Sequence, residues 1–343
     1  MTAATQPRPA SSPSSVTPSG PGTEPDLPTL PDAPAGAPQT PPSVQSPIDV
    51  PGPWRHRDVA ANGARFHLAE AGAGPLVLLL HGFPEFWWAW RHQLPALADA
   101  GYHAVAMDLR GYGGSDKPPR GYDPFTLAAD VAGVIRALGA PRATVVGHGW
   151  GAFVGWATAV LRAPHVERLA VVSAPHPRDA RTANPRRVAA LREALTFQLP
   201  LLPEHRLLAD DGAWVEHLLR RWSAPGWPNQ EAARRYREAM QLWPAPHCAL
   251  EYPRWLARSA LRTDGRRFAA RMREPVRVPV LHVHGMLDPA ISVEAARAAQ
   301  AYVRAPYRWL PMAGVGHFPH EESPARFTAE LLDWLEDADA QPQ

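Results

Sequence analysis

A stretch near the middle of the chain most constrains what it can fold into. Residues 143–152 begin as a short apolar run, reach a cluster of glycines and continue into an apolar segment with helical spacing. This order predicts a strand, a sharp turn and a helix. Gly147 and Gly151 suit such a turn, because a Cβ at either position would strike the neighbouring strand or helix. The strand is therefore expected to give way to the helix at Gly149.

Two interpretations of this turn compete. Its spacing matches the nucleophile elbow G-x-S-x-G, whose central residue presents a nucleophile to the substrate, and here Gly149 occupies that place. Gly147, Gly149 and Ala152 also fit the loose dinucleotide fingerprint G-x-G-x-x-G/A. That fingerprint needs an acidic residue at the end of the next strand, whereas the strand predicted over Val166–Val172 ends at Ser173. We therefore favour an elbow that lacks its nucleophile over a nucleotide site or a turn without chemistry.

Composition narrows the class of protein. A chain of 343 residues can form one large α/β domain, or a domain with an insertion. Its net charge of +2, with mixed signs, argues against nucleic-acid binding. The single cysteine, Cys248, excludes a disulfide framework and fits a reducing compartment, so a cytoplasmic location is expected. No apolar stretch approaches the length that spans a bilayer, so no membrane association is expected.

The first fifty residues differ from the rest of the chain. Residues 1–50 consist mostly of Pro, Ser, Thr, Ala and Gly, with few large apolar side chains. Such a segment cannot bury enough surface to offset the entropy of ordering, so we predict a disordered Pro-rich tail, either solvated or docking on a partner. It lacks the basic and apolar regions of a secretory signal.

After the tail, strands and helices alternate. A β-hairpin is predicted around Asn62-Gly63, and apolar runs between turn residues predict further strands. This alternation is typical of a mostly parallel sheet with helices on both faces. The predicted strands are 56–59, 65–69, Leu76–Leu80, His103–Met107, 143–148, Val166–Val172, 280–283 and 307–310, and the predicted helices are 88–98, 126–138 (with Thr126 as N-cap), 153–161, 293–302 and 324–337.

The alternation stops for about a hundred residues. From residue 178 to 276 the sequence has arginine-rich helical stretches with apolar stripes and no strand-like run. We interpret this segment as a helical cap inserted in the α/β domain. The expected division is a core of residues 51–175 and 277–343 and a cap of residues 176–276.

Ligands bind at the carboxyl ends of the strands in such a sheet, and several strand ends carry suggestive residues. The backbone N–H groups of Phe83 and Trp150 could converge on an oxyanion. Asp288 and His317 follow two later strands, and a carboxylate that orients an imidazole is the second half of a hydrolytic triad. The order of elbow, acid and histidine along the chain is that of the α/β-hydrolase fold.

Other side chains complete the predicted site. Ser173 either caps a turn or reaches the pocket, and Cys248 is expected in packing. His282 and His284 share a strand face without a third ligand, which favours core roles over a metal site, so no metal or cofactor is expected. The residues predicted to line an apolar substrate pocket are His81, Phe83, Trp87, Trp88, Trp150 and Tyr252.

Several motifs occur together between residues 54 and 335. They are Leu79-Leu80-His81-Gly82-Phe83-Pro84-Glu85, Trp87, Trp90-Arg91, the segment from Asp108 to Asp116, Gly147-His148-x-Trp150-Gly151, Gly285-x-x-Asp288 and Gly316-His317-Phe318-Pro319. Together they closely resemble the epoxide hydrolases of the α/β-hydrolase superfamily, with the haloalkane dehalogenases next nearest. The resemblance implies an α/β-hydrolase fold with a cap.

The resemblance also marks what this chain lacks. Members of the family attack the substrate with an aspartate at the position of Gly149 and hydrolyse the resulting ester with water activated by a histidine. Their cap supplies two tyrosines that hydrogen-bond the epoxide oxygen. Aligned with the family, Pro253 stands where one tyrosine is expected, with Tyr252 adjacent, and Glu193 stands in place of the other.

Two functions remain open on these grounds. The first is a hydrolase in which Asp288 and His317 activate water to attack a small apolar epoxide or ester. The alternative is a catalytically inactive protein that binds a small apolar ligand in the same pocket. Both predict a small-molecule partner.

Overall fold

The computed structural model describes residues 46–179 and 195–339. Strands β1 (Arg55–Ala61) and β2 (Ala64–Ala71) pair antiparallel and form the predicted hairpin. Its turn residues Asn62 and Gly63 have φ angles of 46° and 74°. This left-handed conformation is what a two-residue hairpin turn requires.

The described residues build one eight-stranded sheet. The other strands are β3 (Leu76–Leu80), β4 (His103–Met107), β5 (Ala143–His148), β6 (Val166–Val172), β7 (Val280–Gly285) and β8 (Tyr307–Met312). The order is β1-β2-β4-β3-β5-β6-β7-β8, and every pairing from β4 to β8 is parallel. Because β3, β5, β6 and β7 are neighbours and parallel, the loops at their carboxyl ends lie side by side.

Helices accompany this sheet. They are α1 (Gln93–Asp99), α2 (Pro124–Ala137), α3 (Trp150–Leu161), α4 (Leu202–Leu208), α5 (Ala213–Trp222), α6 (Gln230–Met240), α7 (Ala245–Ser259), α8 (Thr263–Arg271), α9 (Val293–Ala298), α10 (Pro319–Glu322) and α11 (Pro324–Asp339). Helix α1 packs on α11, and α2 packs on α3. Helices α4 to α8 all lie between β6 and β7, and residues 195–275 form no strand. No described helix is long and apolar enough to cross a membrane.

Three predicted helix starts are wrong, including that of α3, which begins at Trp150 rather than residue 153. The first helix begins at Gln93 rather than residue 88, because Pro95 lacks an N–H and is tolerated only in a first turn; residues Trp87–Trp90 form a separate 3-10 turn. Helix α2 begins at Pro124, and its N-cap is Asp123 instead of Thr126. The Asp123 carboxylate accepts the N–H of Thr126 at 3.1 Å, which is the bond an N-cap makes.

The predicted tail extends too far along the chain. Residues 1–45 lie outside the described part, but residues 46–50 are packed against the domain. Ile48 and Val50 are buried, and the Ile48 carbonyl accepts the indole N–H of Trp87 at 3.0 Å. Burying these two aliphatic side chains stabilises the contact, so the packed part of the chain includes residues before 51.

Candidate active site

The turn between β5 and α3 has the geometry of an elbow. Gly149 joins the two elements with φ 52° and ψ −114°, a backbone conformation that residues with a side chain rarely adopt. A Cβ at Gly147 would lie 2.5 Å from the carbonyl oxygen of Gly151, and one at Gly151 would lie 2.2 Å from that of Leu80. The tight reversal therefore requires glycine at both positions.

Gly149 itself has room for a side chain. A Cβ there would lie 3.6 Å from Cα of Gly82 and 3.8 Å from Nε2 of His317. Both are ordinary van der Waals distances. The position at which the elbow presents a nucleophile therefore lies directly beside an imidazole nitrogen.

The imidazole of His317 is oriented by a carboxylate. Oδ2 of Asp288 lies 2.8 Å from Nδ1 of His317. The other oxygen, Oδ1, accepts the backbone N–H groups of Ala290 at 2.8 Å and Ile291 at 3.0 Å. With Nδ1–H donated to the carboxylate, Nε2 is the nitrogen that can accept a proton. The structure thus brings the predicted acid and base together.

Charge near His317 favours its protonated form. Burial lowers the pKa of an imidazole because it disfavours the cation. The charge and hydrogen bond of Asp288 more than offset this effect, so the pKa of His317 is raised above its ordinary value of 6.5. A base with a raised pKa binds a proton from water more strongly.

The predicted oxyanion donors also lie at this site. Phe83 and Trp150 both line the cavity with Gly149. Within the described part of the chain, neither backbone N–H donates a hydrogen bond to another backbone carbonyl or to a side chain. An oxyanion hole requires N–H groups that are not already bonded within the protein, and both residues meet this condition.

A buried polar network holds the loops around the elbow. The Glu85 carboxylate accepts from the N–H of Gly82 at 3.1 Å and lies 2.7 Å from Nδ1 of His148 and 3.1 Å from Nε2 of His320. Burial raises the pKa of Glu85, but the two histidines outweigh it and hold this pKa well below the usual value. His148 also lies 2.9 Å from the carbonyl oxygen of His317, so it ties the elbow to the histidine loop, and it is not part of the cavity wall.

The cavity beside these groups has a volume of about 210 Å³. Its walls are mostly aromatic and aliphatic side chains, which suits a small apolar ligand. Sequence reasoning missed most of them, although Trp222 lies in an apolar stripe and Ile291 follows Asp288 closely. The wall residues are Phe83, Gly149, Trp150, Phe153, Ser173, Ala174, Pro175, Phe197, Trp222, Ala249, Leu250, Pro253, Leu256, Ala290, Ile291 and His317.

Two predicted pocket residues, Trp87 and Trp88, do not lie on this wall. The Trp87 ring packs in the core, 5.3 Å from the ring of Trp54, and the Trp88 ring carries the guanidinium of Arg91 at 3.6 Å. The 3-10 turn that contains both residues is buried. The prediction that these two residues line the pocket is wrong, because a run of aromatic residues near a site motif can equally pack in the core.

His81 and Tyr252 are also absent from the wall. Nε2 of His81 accepts the N–H of Leu109 at 3.1 Å and Nδ1 lies 2.8 Å from the carbonyl oxygen of Gly82, so this buried residue braces its loop. Burial lowers the pKa of His81, in keeping with a neutral ring. The Tyr252 hydroxyl donates to the Arg110 carbonyl at 2.8 Å, so it points away from the cavity.

Among the described residues, no tyrosine lines the cavity, although the family resemblance leads one to expect two from the cap. Pro253, at one of the two positions, lines the cavity and offers no donor. Glu193, at the other, lies outside the described residues. Cys248 is buried among packed side chains, and Nδ1 of His282 lies 2.9 Å from the Tyr307 hydroxyl, as their predicted roles require.

Two groups of side chains bring possible metal ligands within 4.8 Å of one another. In one, Glu85 bonds both of its histidines. In the other, which also includes the exposed Asp49, Nδ1 of His56 lies 3.0 Å from Nε2 of His67. Because these atoms already hydrogen-bond one another, we assign neither group a metal.

Comparison with known proteins agrees with this architecture. A family model described as the alpha/beta hydrolase fold matches residues 75–324. Epoxide hydrolase A of Mycobacterium tuberculosis is 34% identical over 324 residues, covering 81% of this chain and 96% of that protein. Epoxide hydrolase 3 of Xenopus tropicalis is 34% identical over 287 residues, covering 80% of this chain and 76% of that protein.

Solved structures give the same result. The crystal structure of epoxide hydrolase A from Mycobacterium thermoresistibile matches with a TM-score of 0.71 and 30% identity, covering 82% of this chain and 98% of that one. An epoxide hydrolase from an endophytic Streptomyces matches with a TM-score of 0.74 and 29% identity, covering 85% of this chain and 98% of that one. The chain therefore belongs to the alpha/beta hydrolase fold family and resembles its epoxide hydrolases.

Proposed function

We propose that this protein is a hydrolase in which His317 activates a water molecule to attack a small apolar substrate, an epoxide or an ester. The observation that carries the proposal is the 3.8 Å separation between the Cβ position of Gly149 and Nε2 of His317. A water molecule bound there would replace the side chain that the elbow presents in the family. Asp288 supports this role by fixing the tautomer of His317.

The proposed reaction forms no covalent bond between the substrate and the protein. The water oxygen forms a bond to the electrophilic carbon while Nε2 of His317 takes one water proton. With an epoxide, the ring C–O bond breaks and the alkoxide takes the proton from Nε2, giving a diol. With an ester, the carbonyl oxygen becomes an oxyanion beside the N–H groups of Phe83 and Trp150. Its collapse breaks the ester C–O bond, and the departing alkoxide takes the proton from Nε2, giving an acid and an alcohol.

We expect this enzyme to be slow. Removing the nucleophile from a comparable hydrolase costs about 10⁶-fold in rate and leaves roughly 10³–10⁴-fold over water from the oxyanion hole and binding. A positioned general base contributes roughly 10²–10⁴-fold. Turnover should therefore exceed the uncatalysed rate and respond to the loss of His317.

We also propose that residues 176–276 act as a cap that selects the substrate. Helices α5 and α7 support this role, because Trp222, Leu250 and Pro253 belong to them and line the cavity. Their side chains are apolar, so the cap offers shape rather than charge to a ligand.

The alternative function is binding without turnover, and the conformation of Gly149 favours it. A residue with a side chain at φ 52° would be strained, whereas glycine adopts this angle freely. An apolar cavity could then hold a ligand unchanged.

Hydrolysis of a panel of epoxides and small esters by purified protein separates the two functions. Wild type is compared with His317→Ala and with His205→Ala, a control on α4 that lies outside the cavity wall. The hydrolase is supported if only His317→Ala loses turnover. The hydrolase would be overturned in favour of binding if neither wild type nor either variant hydrolysed any member of the panel, while His317→Ala left the affinity for those compounds unchanged.

A further inference from the structure

Ser173 has features that the proposed reaction leaves unused. It follows the last residue of β6, is fully buried and lines the cavity with Gly149 and His317. Its Oγ has no hydrogen-bond partner among the described residues. Its φ angle is 50°, although it is not a glycine.

Strand pairing places Ser173 next to the elbow. His148 of β5 is paired with Val172 of β6, and the N–H of Gly149 donates to the Val172 carbonyl at 3.1 Å. The next residue along β6 is Ser173, whose own N–H donates to Val283 of β7 at 3.0 Å. Ser173 therefore lies between the elbow and the strand that leads to Asp288.

Both the buried hydroxyl and the positive φ of Ser173 cost stability. A buried hydroxyl without a partner loses its hydrogen bonds to water. Glycine in place of Ser173 would relieve the backbone strain at this φ, and alanine would remove the unpaired hydroxyl oxygen. Strained residues and unpaired polar groups cluster where a protein meets a ligand, and Ser173 combines them on a cavity wall that is otherwise almost wholly apolar.

We propose that Oγ of Ser173 binds the water molecule that His317 activates. The water donates one proton to Nε2 of His317 and the other to Oγ of Ser173, which leaves an oxygen lone pair for attack. In the reaction the first O–H bond breaks and the second stays with the product. This assignment rests on the proposed hydrolase, but the polar position made by Ser173 and His317 can be tested without turnover.

A primary carboxamide tests that position. The NH₂ group of phenylacetamide has two donors, as water has, and its carbonyl oxygen suits the N–H groups of Phe83 and Trp150. Phenylacetone has the same shape and carbonyl but carries a methyl group instead of NH₂. Trp150 and Trp222 line the cavity, so tryptophan fluorescence can report both affinities.

Ser173→Ala and Ser173→Gly are compared with wild type. Both variants should bind phenylacetamide roughly three- to tenfold more weakly, as loss of one hydrogen bond predicts, and bind phenylacetone within about twofold of wild type. Equal losses for both ligands, or no loss for either, would overturn the assignment. Thermal melts check folding, and Ser173→Gly carries the test if the alanine variant does not fold, since glycine accepts the positive φ.

Kinetics separate this inference from the proposed function. With a substrate that wild type hydrolyses, both variants should lower kcat by about tenfold or more and leave KM within about twofold. An unchanged kcat overturns the role of Ser173 while the hydrolase stands. Weaker phenylacetamide binding with no turnover by wild type supports the polar position and overturns the hydrolase.

Discussion

The Cβ position of Gly149 lies 3.8 Å from Nε2 of His317, so the base faces the residue at which the elbow turns. Asp288 holds the opposite ring nitrogen at 2.8 Å. A carboxylate and an imidazole are thus assembled around a residue that has no side chain. In the proposed function, water takes the place of that side chain as the attacking group.

Gly149→Asp should supply the family nucleophile and raise epoxide turnover. A carboxylate fits because the Cβ position makes no close contact. The variant should lose about 1–3 kcal/mol of unfolding free energy, since φ 52° is strained for a residue with a side chain. Urea denaturation and epoxide hydrolysis measure the two effects.

Gly149→Ala is the matched control for this variant. It brings the same backbone strain without a carboxylate, so it should show a similar loss of stability and no gain in turnover. A folded aspartate variant with no gain in epoxide turnover would contradict the prediction. The next residue to test would then be Pro253, which lines the cavity where the family has a hydrogen-bond donor.

The pH dependence of hydrolysis should follow His317. Burial acts to lower the pKa of His317, but Asp288 outweighs it and the pKa is raised. Because the base must be neutral, kcat/KM should fall as the pH decreases through this raised value. Asp288→Asn should move the acidic limb to lower pH and reduce the plateau by about 10²–10⁴-fold. An unmoved limb in a pH profile of the variant would exclude His317 as the titrating group.

His176 should make the protein less stable in acid. Its ring is buried against Tyr302, with 4.1 Å between ring centroids. Burial, helped by Arg178, lowers the pKa of His176 to about 3 from 6.5. The unfolded chain therefore takes up a proton first, and stability is lost as the pH falls below 6.5, by about 2 kcal/mol between pH 8 and pH 5.

His176→Phe removes this titration while keeping an aromatic ring. The difference in unfolding free energy between pH 8 and pH 5 should shrink by about 2 kcal/mol relative to wild type. Urea titrations at the two pH values measure it. Equal differences in the two proteins would mean that His176 does not cause the acid sensitivity.

Ile48 should contribute to stability although it lies in the predicted tail. Its side chain is 2% exposed in the hydrophobic core. Ile48→Ala should lower the unfolding free energy by about 2 kcal/mol or more, whereas Asp49→Ala, at the exposed neighbouring residue, should change it by less than about 0.5 kcal/mol. Similar melting curves for the two variants would show that this segment does not pack as described.

Local patterns predicted the elements near the site well. The runs Leu76–Leu80, His103–Met107 and Val166–Val172 coincide with strands β3, β4 and β6. Strands buried on both faces have mostly apolar sequences, and Leu76–Leu80 is apolar throughout. The elbow and the Asp288–His317 pair followed from turn residues at strand ends. These features depend on a few neighbouring residues and on chain order.

The cavity wall could not be predicted in the same way. Trp87 lies beside a site motif and Trp222 lies far from any in the sequence, yet the first packs in the core and the second lies on the wall. Which way each ring points depends on contacts between segments distant in the chain. The positive φ and unpaired hydroxyl of Ser173 likewise arise from tertiary packing, so the sequence left its role open between a turn cap and the pocket.

The source of the product oxygen tests the central claim most directly. With enzyme in excess over an epoxide in ¹⁸O-labelled water, direct attack by water predicts one labelled oxygen in the diol of the first turnover. Gly149→Asp provides the internal control, because its carboxylate would donate an unlabelled oxygen in that turnover. Unlabelled diol from the first turnover of wild type would show that a protein carboxylate attacks the substrate, which would contradict the account.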